Sequence, residues 1–231
     1  MVALEHLPRL PARPVKGYRL VNSKFPPISL FEDVASADEF ESLYELQALT
    51  NPRILTEAGN LALVARDEIP FGISGCTYAT APFTHVTPDG SRFSDGSFGI
   101  LYMADALQTA IAEVKHHQQA YWRNVPSLNY ERFTFRGLAC EFDEAGVRDG
   151  LVLPPSDPIY SANDYSAARQ LGAAMRDNRE IGIRYHSVRE ANAVCWGLMT
   201  PKPVRSIVQT AHYEMIWNQG ITTVIQVSRR Y

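Results

Sequence analysis

The stretch SRFSDGSFGILYMADALQTAIAEVKHH, residues 91–117, determines the fold class more than any other part of the chain. Residues 98–103 (FGILYM) form a short apolar run, which predicts a buried β-strand. Asp105 then predicts the N-cap of a helix that continues to about Trp122. The apolar stripe of this helix consists of Leu107, Ala110, Ile111 and Val114, which recur at helical spacing. A strand that leads directly into an amphipathic helix predicts a mixed α and β domain.

Three polar side chains of this stretch are candidates for chemistry. Arg92 lies in the turn-rich loop before the strand, where an arginine is either solvated or binds an anion. Tyr102 lies near the end of the strand, where it either packs in the core or holds a flat heterocycle. Glu113 falls about 110° from the centre of the apolar stripe. It is therefore either solvated or at the rim of a cleft.

The N-terminal part predicts an arm followed by a strand. Residues 1–16 include Pro8, Pro11 and Pro14, which favour extended backbone, so we expect an arm that is either irregular or docked on a partner. Residues 17–21 (GYRLV) predict a strand that contains Arg19. An arginine inside a strand needs a partner, which is either a structural carboxylate or a bound phosphate or carboxylate.

The segment between Arg19 and Arg92 predicts one helix and a long loop. Residues 36–49 have helical periodicity, with Ser36 as the N-cap and Glu39 as its capping-box partner. Residues 54–97 show no strong periodicity, and loops of that length are often functional.

The C-terminal half predicts one more helix among several strands. The helix begins after Asn163 or Asp164 and continues to about Arg176. Strands are expected at residues 131–135, 182–187, 193–198, 207–208, 212–217 and 222–227. Ser187 ends one of them, where a serine usually caps a turn. This order of elements predicts an α+β fold with one domain over residues 17–231.

Composition excludes several classes of protein. The chain has 231 residues, 22 basic and 25 acidic side chains, and a net charge of −3, which argues against a nucleic-acid-binding surface. It has no apolar signal peptide and no run of about 18 apolar residues, so we expect a cytoplasmic protein without a membrane span. Phosphate-binding, dinucleotide-binding and hydrolase glycine motifs are absent.

The residues that most often bind metals are dispersed. The three cysteines, Cys76, Cys140 and Cys195, are far apart in sequence, which predicts isolated buried thiols. His116 and His117 are adjacent on a predicted helix, so their side chains diverge by about 100° and cannot share a metal ion. The sequence therefore predicts no metal site.

Taken together, ordered blocks of the chain resemble the RES-domain family, named for a dispersed Arg, Glu and Ser. The resemblance covers the chain from about residue 17 to its end. The blocks that carry it are YRLV (18–21), FPPISLFEDV (25–34), LTNPR (49–53), FTH (83–85), residues 91–117 and GIRYHSVREANAVCWGL (182–198).

This resemblance implies a fold and a function. The fold is similar to that of the ADP-ribosyltransferases, with a central split β-sheet and flanking helices. RES proteins are toxins of bacterial toxin–antitoxin pairs that act on NAD⁺, so NAD⁺ is the expected substrate. The expected partner is a small antitoxin with an Xre-type helix-turn-helix region, which can block the active site.

The resemblance also implies the site residues. Arg19, Arg92, Tyr102, Glu113 and Ser187 are expected to line the NAD⁺ site, with Arg53 and His85 as weaker candidates. Cleavage of the nicotinamide–ribose bond develops positive charge on the ribose, which a carboxylate stabilises, and Glu113 is the expected carboxylate. Tyr102 is suited to stack on nicotinamide, Ser187 to hydrogen-bond its amide or the ribose, and the arginines to contact pyrophosphate and ribose.

Three hypotheses of function stay open at this point. The first is a toxin that transfers ADP-ribose to a cellular protein. The second is a toxin that degrades NAD⁺ by hydrolysis or phosphorolysis. The third is a binding module with an inactive site. The presence of all three residues Arg19, Glu113 and Ser187 argues against this hypothesis. The long segment between Arg19 and Arg92 indicates a longer subgroup of the family.

Overall fold

The computed structural model describes residues 4–24, 36, 38–39 and 59–227. Its centre is an eight-stranded sheet in the order β4-β5-β6-β2-β1-β3-β7-β8. The strands are β1 (Pro14–Asn22), β2 (Leu101–Ala104), β3 (Tyr130–Asp143), β4 (Arg148–Asp149), β5 (Gly182–His186), β6 (Val194–Leu198), β7 (Val204–Asn218) and β8 (Ile221–Val227). Within the described ranges the α-helices are α1 (Cys76–Thr84), α2 (Leu107–Arg123) and α3 (Ser166–Asp177). The predicted α+β class is confirmed.

The sheet is divided near its middle. β1 pairs with β2 at a single position, Tyr18 opposite Ala104, whereas β1 pairs with β3 along its whole length. The sheet is therefore two four-stranded halves joined by one pair of residues, as the predicted split sheet requires.

Each face of the sheet carries its own apolar core. The first core lies under α2 and α3 and includes Ala110, Leu171 and Met175 from these helices. The second core lies on the opposite face, where α1 contributes Cys76, Ala79 and Phe83. Because side chains alternate along a strand, each strand residue belongs to one face, and this assignment decides which candidate residues meet.

The predicted loop over residues 54–97 is partly wrong, because it contains α1. This helix was missed because it is buried on more than one side and has no single apolar stripe, its buried residues being Cys76, Thr77, Ala79, Thr80, Phe83 and Thr84. It begins after Gly75, whose φ is +77° and where a side chain would collide with the carbonyl of Ile207. The close approach of two backbones therefore sets its start.

Other predicted boundaries also shift. Residues 98–100 precede β2, and the segments predicted at 207–208 and 212–217 belong to one continuous strand, β7. α2 begins at Leu107 with Ala106 as its N-cap, so Asp105 is not the cap. Asp105 instead accepts hydrogen bonds from the Thr109 hydroxyl (2.8 Å) and from Val194 N (2.8 Å), which connects the start of α2 to β6.

The helix predicted at residues 36–49 lies almost wholly outside the described residues. Of its predicted cap, Ser36 Oγ accepts a hydrogen bond from Glu39 N at 3.3 Å.

The N-terminal arm packs against its own domain. Leu7 is fully buried in the first core, and Arg148 donates to the carbonyls of Leu4 (3.2 Å) and Leu7 (2.8 Å). Residues 14–16, predicted as part of the arm, are the first residues of β1. The described part of the arm is thus part of the folded body.

Candidate functional site

Glu113 and Ser187 form the centre of the candidate site. The Ser187 hydroxyl donates to Glu113 Oε1 at 2.6 Å, which joins α2 to the residue that follows β5. The Cys195 thiol lies 3.9 Å from the same oxygen. Both contacts are made to Oε1, so Oε2 makes no hydrogen bond within the described part of the chain.

Ser187 has no hydrogen-bonding capacity left in this arrangement. A serine hydroxyl has one donor and two acceptor positions. Its donor is used on Glu113, and its oxygen accepts from the backbone N–H groups of Arg189 (3.2 Å) and Glu190 (3.1 Å). Ser187 therefore acts on Glu113 by fixing the orientation of the carboxylate.

Cys195 carries a buried thiol next to the Glu113–Ser187 pair. Burial raises the pKa of Cys195 to about 12, and the nearby Glu113 carboxylate acts in the same direction. The thiol is therefore neutral at pH 7, which keeps its hydrogen available to the carboxylate. All three cysteines are buried and none forms a disulfide bond with a described residue, in agreement with the prediction of buried thiols outside any cysteine cluster.

Tyr102 lies on the same face of the sheet and is held by its hydroxyl. The hydroxyl bonds Ser91 Oγ at 2.8 Å and accepts from Phe93 N at 3.1 Å. Burial raises the pKa of Tyr102 to about 12, so the phenol is neutral at pH 7. Its ring lies beside Gly197, where a Cβ would be 3.3 Å from Tyr102 Cε1. With the hydroxyl occupied, the half-buried ring is the part of Tyr102 suited to contact a ligand.

Arg92 is buried beside this loop. Its Nη1 donates to the carbonyls of Ile159 (3.0 Å) and Ser161 (2.9 Å), and its Cζ lies 4.6 Å from the centre of the Tyr165 ring. It makes no ion pair with any described residue. Its charge is therefore not neutralised by a neighbouring carboxylate of the described chain.

Arg19 lies on the other face of the sheet. Its neighbour across β3 is Leu138, a residue of the second core, whereas Leu20 next to it belongs to the first. Burial lowers the pKa of Arg19 to about 10, and Cys140 on the same face opposes this shift. No hydrogen bond or ion pair joins Arg19 to another described residue, so the structure does not bring it to Glu113.

Of the two weaker candidates, His85 is described and is also apart from Glu113. His85 caps the C-terminal end of α1, on the face of the second core, and its Nδ1 lies 3.1 Å from Thr84 Oγ1. Arg53 lies outside the described residues. His116 and His117 have edge-to-face rings 5.5 Å apart, and within the described ranges no group of three or more His, Cys, Asp or Glu residues is arranged to hold a metal ion.

Sequence reasoning missed three residues of this face. Tyr165 and Arg169 are one helical turn apart, and the Arg169 Cζ lies 6.0 Å from the Tyr165 ring centre. Arg189 donates to the Tyr165 hydroxyl at 3.3 Å. The sequence offers one indication that Arg189 belongs to the site, which is its position two residues after Ser187. Nothing in the sequence connects Tyr165, Arg169 or Arg189 to Arg92.

Comparisons with known proteins establish the family of the chain. Residues 69–218 match the family model described as "RES domain". The chain belongs to the RES-domain family. The "uncharacterized protein y4oC" of Sinorhizobium fredii is 30% identical over 203 residues, which are 87% of this chain and 82% of that protein. The match to the RES domain includes Arg92, Tyr102, Glu113 and Ser187, whereas Arg19 precedes it.

One solved structure also matches part of the chain. The "crystal structure of the M.tuberculosis MbcT-MbcA toxin-antitoxin complex" is 15% identical, with a TM-score of 0.37, and the match covers 53% of this chain and 73% of that one. In the described part of this RES protein, no helix has the length and apolar character needed to cross a membrane.

Proposed function

We propose that this protein is a toxin of a bacterial toxin–antitoxin pair that acts on NAD⁺ and transfers ADP-ribose to a cellular protein. The observation that carries the proposal is the 2.6 Å hydrogen bond between Ser187 and Glu113, two residue types that give the RES family its name. The proposal includes the partner that the resemblance implies, an Xre-type antitoxin that blocks the site, and a cytoplasmic place of action.

The chemistry assigned to Glu113 uses Oε2, the carboxylate oxygen that makes no hydrogen bond to any described residue. The bond between nicotinamide and the ribose breaks, and nicotinamide leaves as a neutral molecule with the bonding electron pair. The ribose develops positive charge, which a carboxylate held in a fixed orientation stabilises. The acceptor side chain then bonds to the anomeric carbon and loses its proton.

The other residues of this face take supporting roles in the proposal. The Tyr102 ring offers a flat apolar surface to nicotinamide. The uncompensated charge of Arg92 favours the diphosphate of NAD⁺. The Arg19 guanidinium is desolvated and has no ion-pair partner among the described residues, and its contact with NAD⁺ stays a prediction from the family resemblance.

The test is an incubation of purified protein with labelled NAD⁺, with and without cell lysate, in which protein bands and small molecules are both resolved. We expect a labelled protein band only when lysate is present. Free ADP-ribose or its phosphate without any labelled band would instead establish the NAD⁺-degrading reaction. No loss of NAD⁺ under either condition would refute both reactions.

The matched variant is Glu113→Gln, which keeps the size of the side chain and removes its charge. We expect the rate of NAD⁺ consumption to fall by roughly 10²- to 10³-fold, the size of effect that follows loss of one electrostatic contact to a transition state. The control is Glu131→Gln, an exposed glutamate on β3, which should retain the full rate. Equal rates for both variants would exclude Glu113 from the reaction.

A further inference from the structure

Three arginines from distant parts of the chain surround one tyrosine. Arg92 precedes β2, Arg169 is on α3 and Arg189 follows β5, and all three approach Tyr165. The two Cζ–ring distances are 4.6 Å for Arg92 and 6.0 Å for Arg169, and Arg189 Nη2 lies 3.3 Å from the Tyr165 hydroxyl. We refer to Arg92, Arg169 and Arg189 as the arginine cluster.

The arginine cluster has no carboxylate partner among the described residues. None of its members takes part in an ion pair there, although seven other charged contacts join arginines to acidic side chains in the described ranges. Its members bond backbone oxygens instead: Arg169 donates to Ser91 (3.0 Å) and Asp89 (2.8 Å), and Arg189 donates to Ala162 (2.6 Å). Carbonyl groups position a guanidinium but leave its net charge in place.

Donors of the arginine cluster remain unused. A guanidinium has five N–H donors. Arg92 uses Nη1 for two carbonyls, and its Nε and Nη2 have no hydrogen-bond partner in the described chain. Arg189 Nε is buried and has no hydrogen-bond partner in the ranges that the structure describes. A buried donor without a partner requires an explanation, and a bound acceptor is one.

We propose that the arginine cluster is a binding site for a phosphate-bearing anion, and specifically for the diphosphate of a dinucleotide. Planar guanidinium groups bind phosphate oxygens in pairs, and an anion among three like charges also removes their mutual repulsion. This inference rests on the proposed function, because it assigns the diphosphate of that same substrate to Arg169 and Arg189, which the family motif does not name, together with Arg92, which it does.

The position of the arginine cluster fits this assignment. Arg189 is two residues from Ser187, which bonds Glu113. Arg92 is next to Ser91, which bonds Tyr102. In NAD⁺ the diphosphate is attached to the ribose at which the bond to nicotinamide breaks, so an anion site beside Glu113 and Tyr102 lies where the substrate requires one.

The test measures binding rather than turnover. ADP-ribose, which carries the diphosphate, inorganic pyrophosphate and nicotinamide riboside, which carries no phosphate, are titrated calorimetrically into the wild-type protein and into Arg189→Gln and Arg169→Gln. Loss of one charged hydrogen bond should weaken the binding of ADP-ribose about tenfold or more. Binding of nicotinamide riboside should not change, and Arg189→Lys should recover part of the lost affinity because it keeps the charge.

The control variant is Arg205→Gln, which removes an exposed arginine paired with Asp143 at 2.7 Å and changes the net charge by the same amount. It should bind ADP-ribose as the wild type does. Wild-type affinity in both cluster variants would overturn the inference, as would a wild-type protein that binds an acidic peptide but neither ADP-ribose nor pyrophosphate. A wild-type protein that binds ADP-ribose at the arginine cluster but never consumes NAD⁺ would refute the proposed function alone.

Discussion

Arginines occupy two contrasting environments in this protein. At one end of the sheet, Glu144, Asp149 and Glu180 are paired with arginines, and we call this group the ion-pair network. Its members are Arg9, Arg13, Glu144, Arg148, Asp149, Glu180 and Arg184. In the arginine cluster around Tyr165, by contrast, no carboxylate of the described chain is paired with a guanidinium. The same residue type thus cross-links the fold in one region and retains its charge in the other.

The ion-pair network explains how the N-terminal arm is held. Glu180, whose side chain is only 3% exposed, bonds Arg148 at 2.6 Å and Arg9 of the arm at 3.1 Å. Glu144, 2% exposed, bonds Arg13 of the arm at 2.7 Å. Buried carboxylates are costly unless paired, so each one fixes its arginines in place. The difference between the two regions is therefore the presence of buried acids, not the number of arginines.

The largest expected effect is on the ion-pair network. Glu180→Ala leaves the half-buried Arg148 without its carboxylate, which should lower the free energy of unfolding by roughly 3 kcal/mol. Urea denaturation measures this loss. The control is Glu214→Ala, which breaks a 3.4 Å contact to the exposed Arg132 and should cost at most about 1 kcal/mol. Equal losses in the two variants would mean that the network contributes no more than a surface pair.

A second variant tests whether Ser187 acts by orienting Glu113. Ser187→Ala removes the donor that orients Glu113, and we expect kcat for NAD⁺ consumption to fall by roughly 10- to 100-fold, the equivalent of one charge-assisted hydrogen bond. KM should change little, because Ser187 has no donor or acceptor left for substrate. Ser187→Thr, which keeps the hydroxyl, should recover much of kcat. A rise in KM with kcat unchanged would show instead that Ser187 contacts substrate.

The smallest expected effect is a pH dependence of the free energy of unfolding, to which the ion-pair network contributes and the arginine cluster does not. Burial alone would raise the pKa of Glu180, but the hydrogen bonds and charges of Arg148 and Arg9 outweigh it, so its pKa lies below the ordinary 4.5. A lowered native pKa contributes stability above the unfolded value, and this is lost as the pH falls through the native value. Unfolding curves between neutral and acid pH should show this loss in the wild type and less of it in Glu180→Gln. The arginine cluster carries no acid and should not contribute.

Sequence reasoning succeeded where a pattern is local. The strand at β2 and the helix α2 follow from the apolar run and the stripe of residues 91–117, and Glu113, expected at the edge of the buried face, is half-buried. The resemblance to RES proteins named Glu113 and Ser187 together. Their direct contact could not be read from the chain, because 74 positions separate them and only the tertiary packing of α2 on the sheet brings them together.

Sequence reasoning failed where burial comes from several directions. α1 has no stripe because it is buried on more than one side, so periodicity missed it. Asp105 was predicted to cap α2, but its carboxylate binds Val194 N across the sheet instead. In both cases a contact distant in sequence determined the local structure.

The sequence by itself determined the α+β class, the isolated cysteines and the family, because hydrophobic period, residue spacing and ordered motifs are properties of the chain. Only the tertiary structure decided which face of the sheet each side chain occupies. It separated Arg19 from Glu113, used every hydrogen-bonding position of Ser187, and gathered Arg92, Arg169 and Arg189 around Tyr165. The physical reason is that side chains alternate between the two faces of a sheet, so a shift of one residue in strand register moves a side chain to the opposite face. Charge balance between residues far apart in sequence is therefore set only when the chain folds.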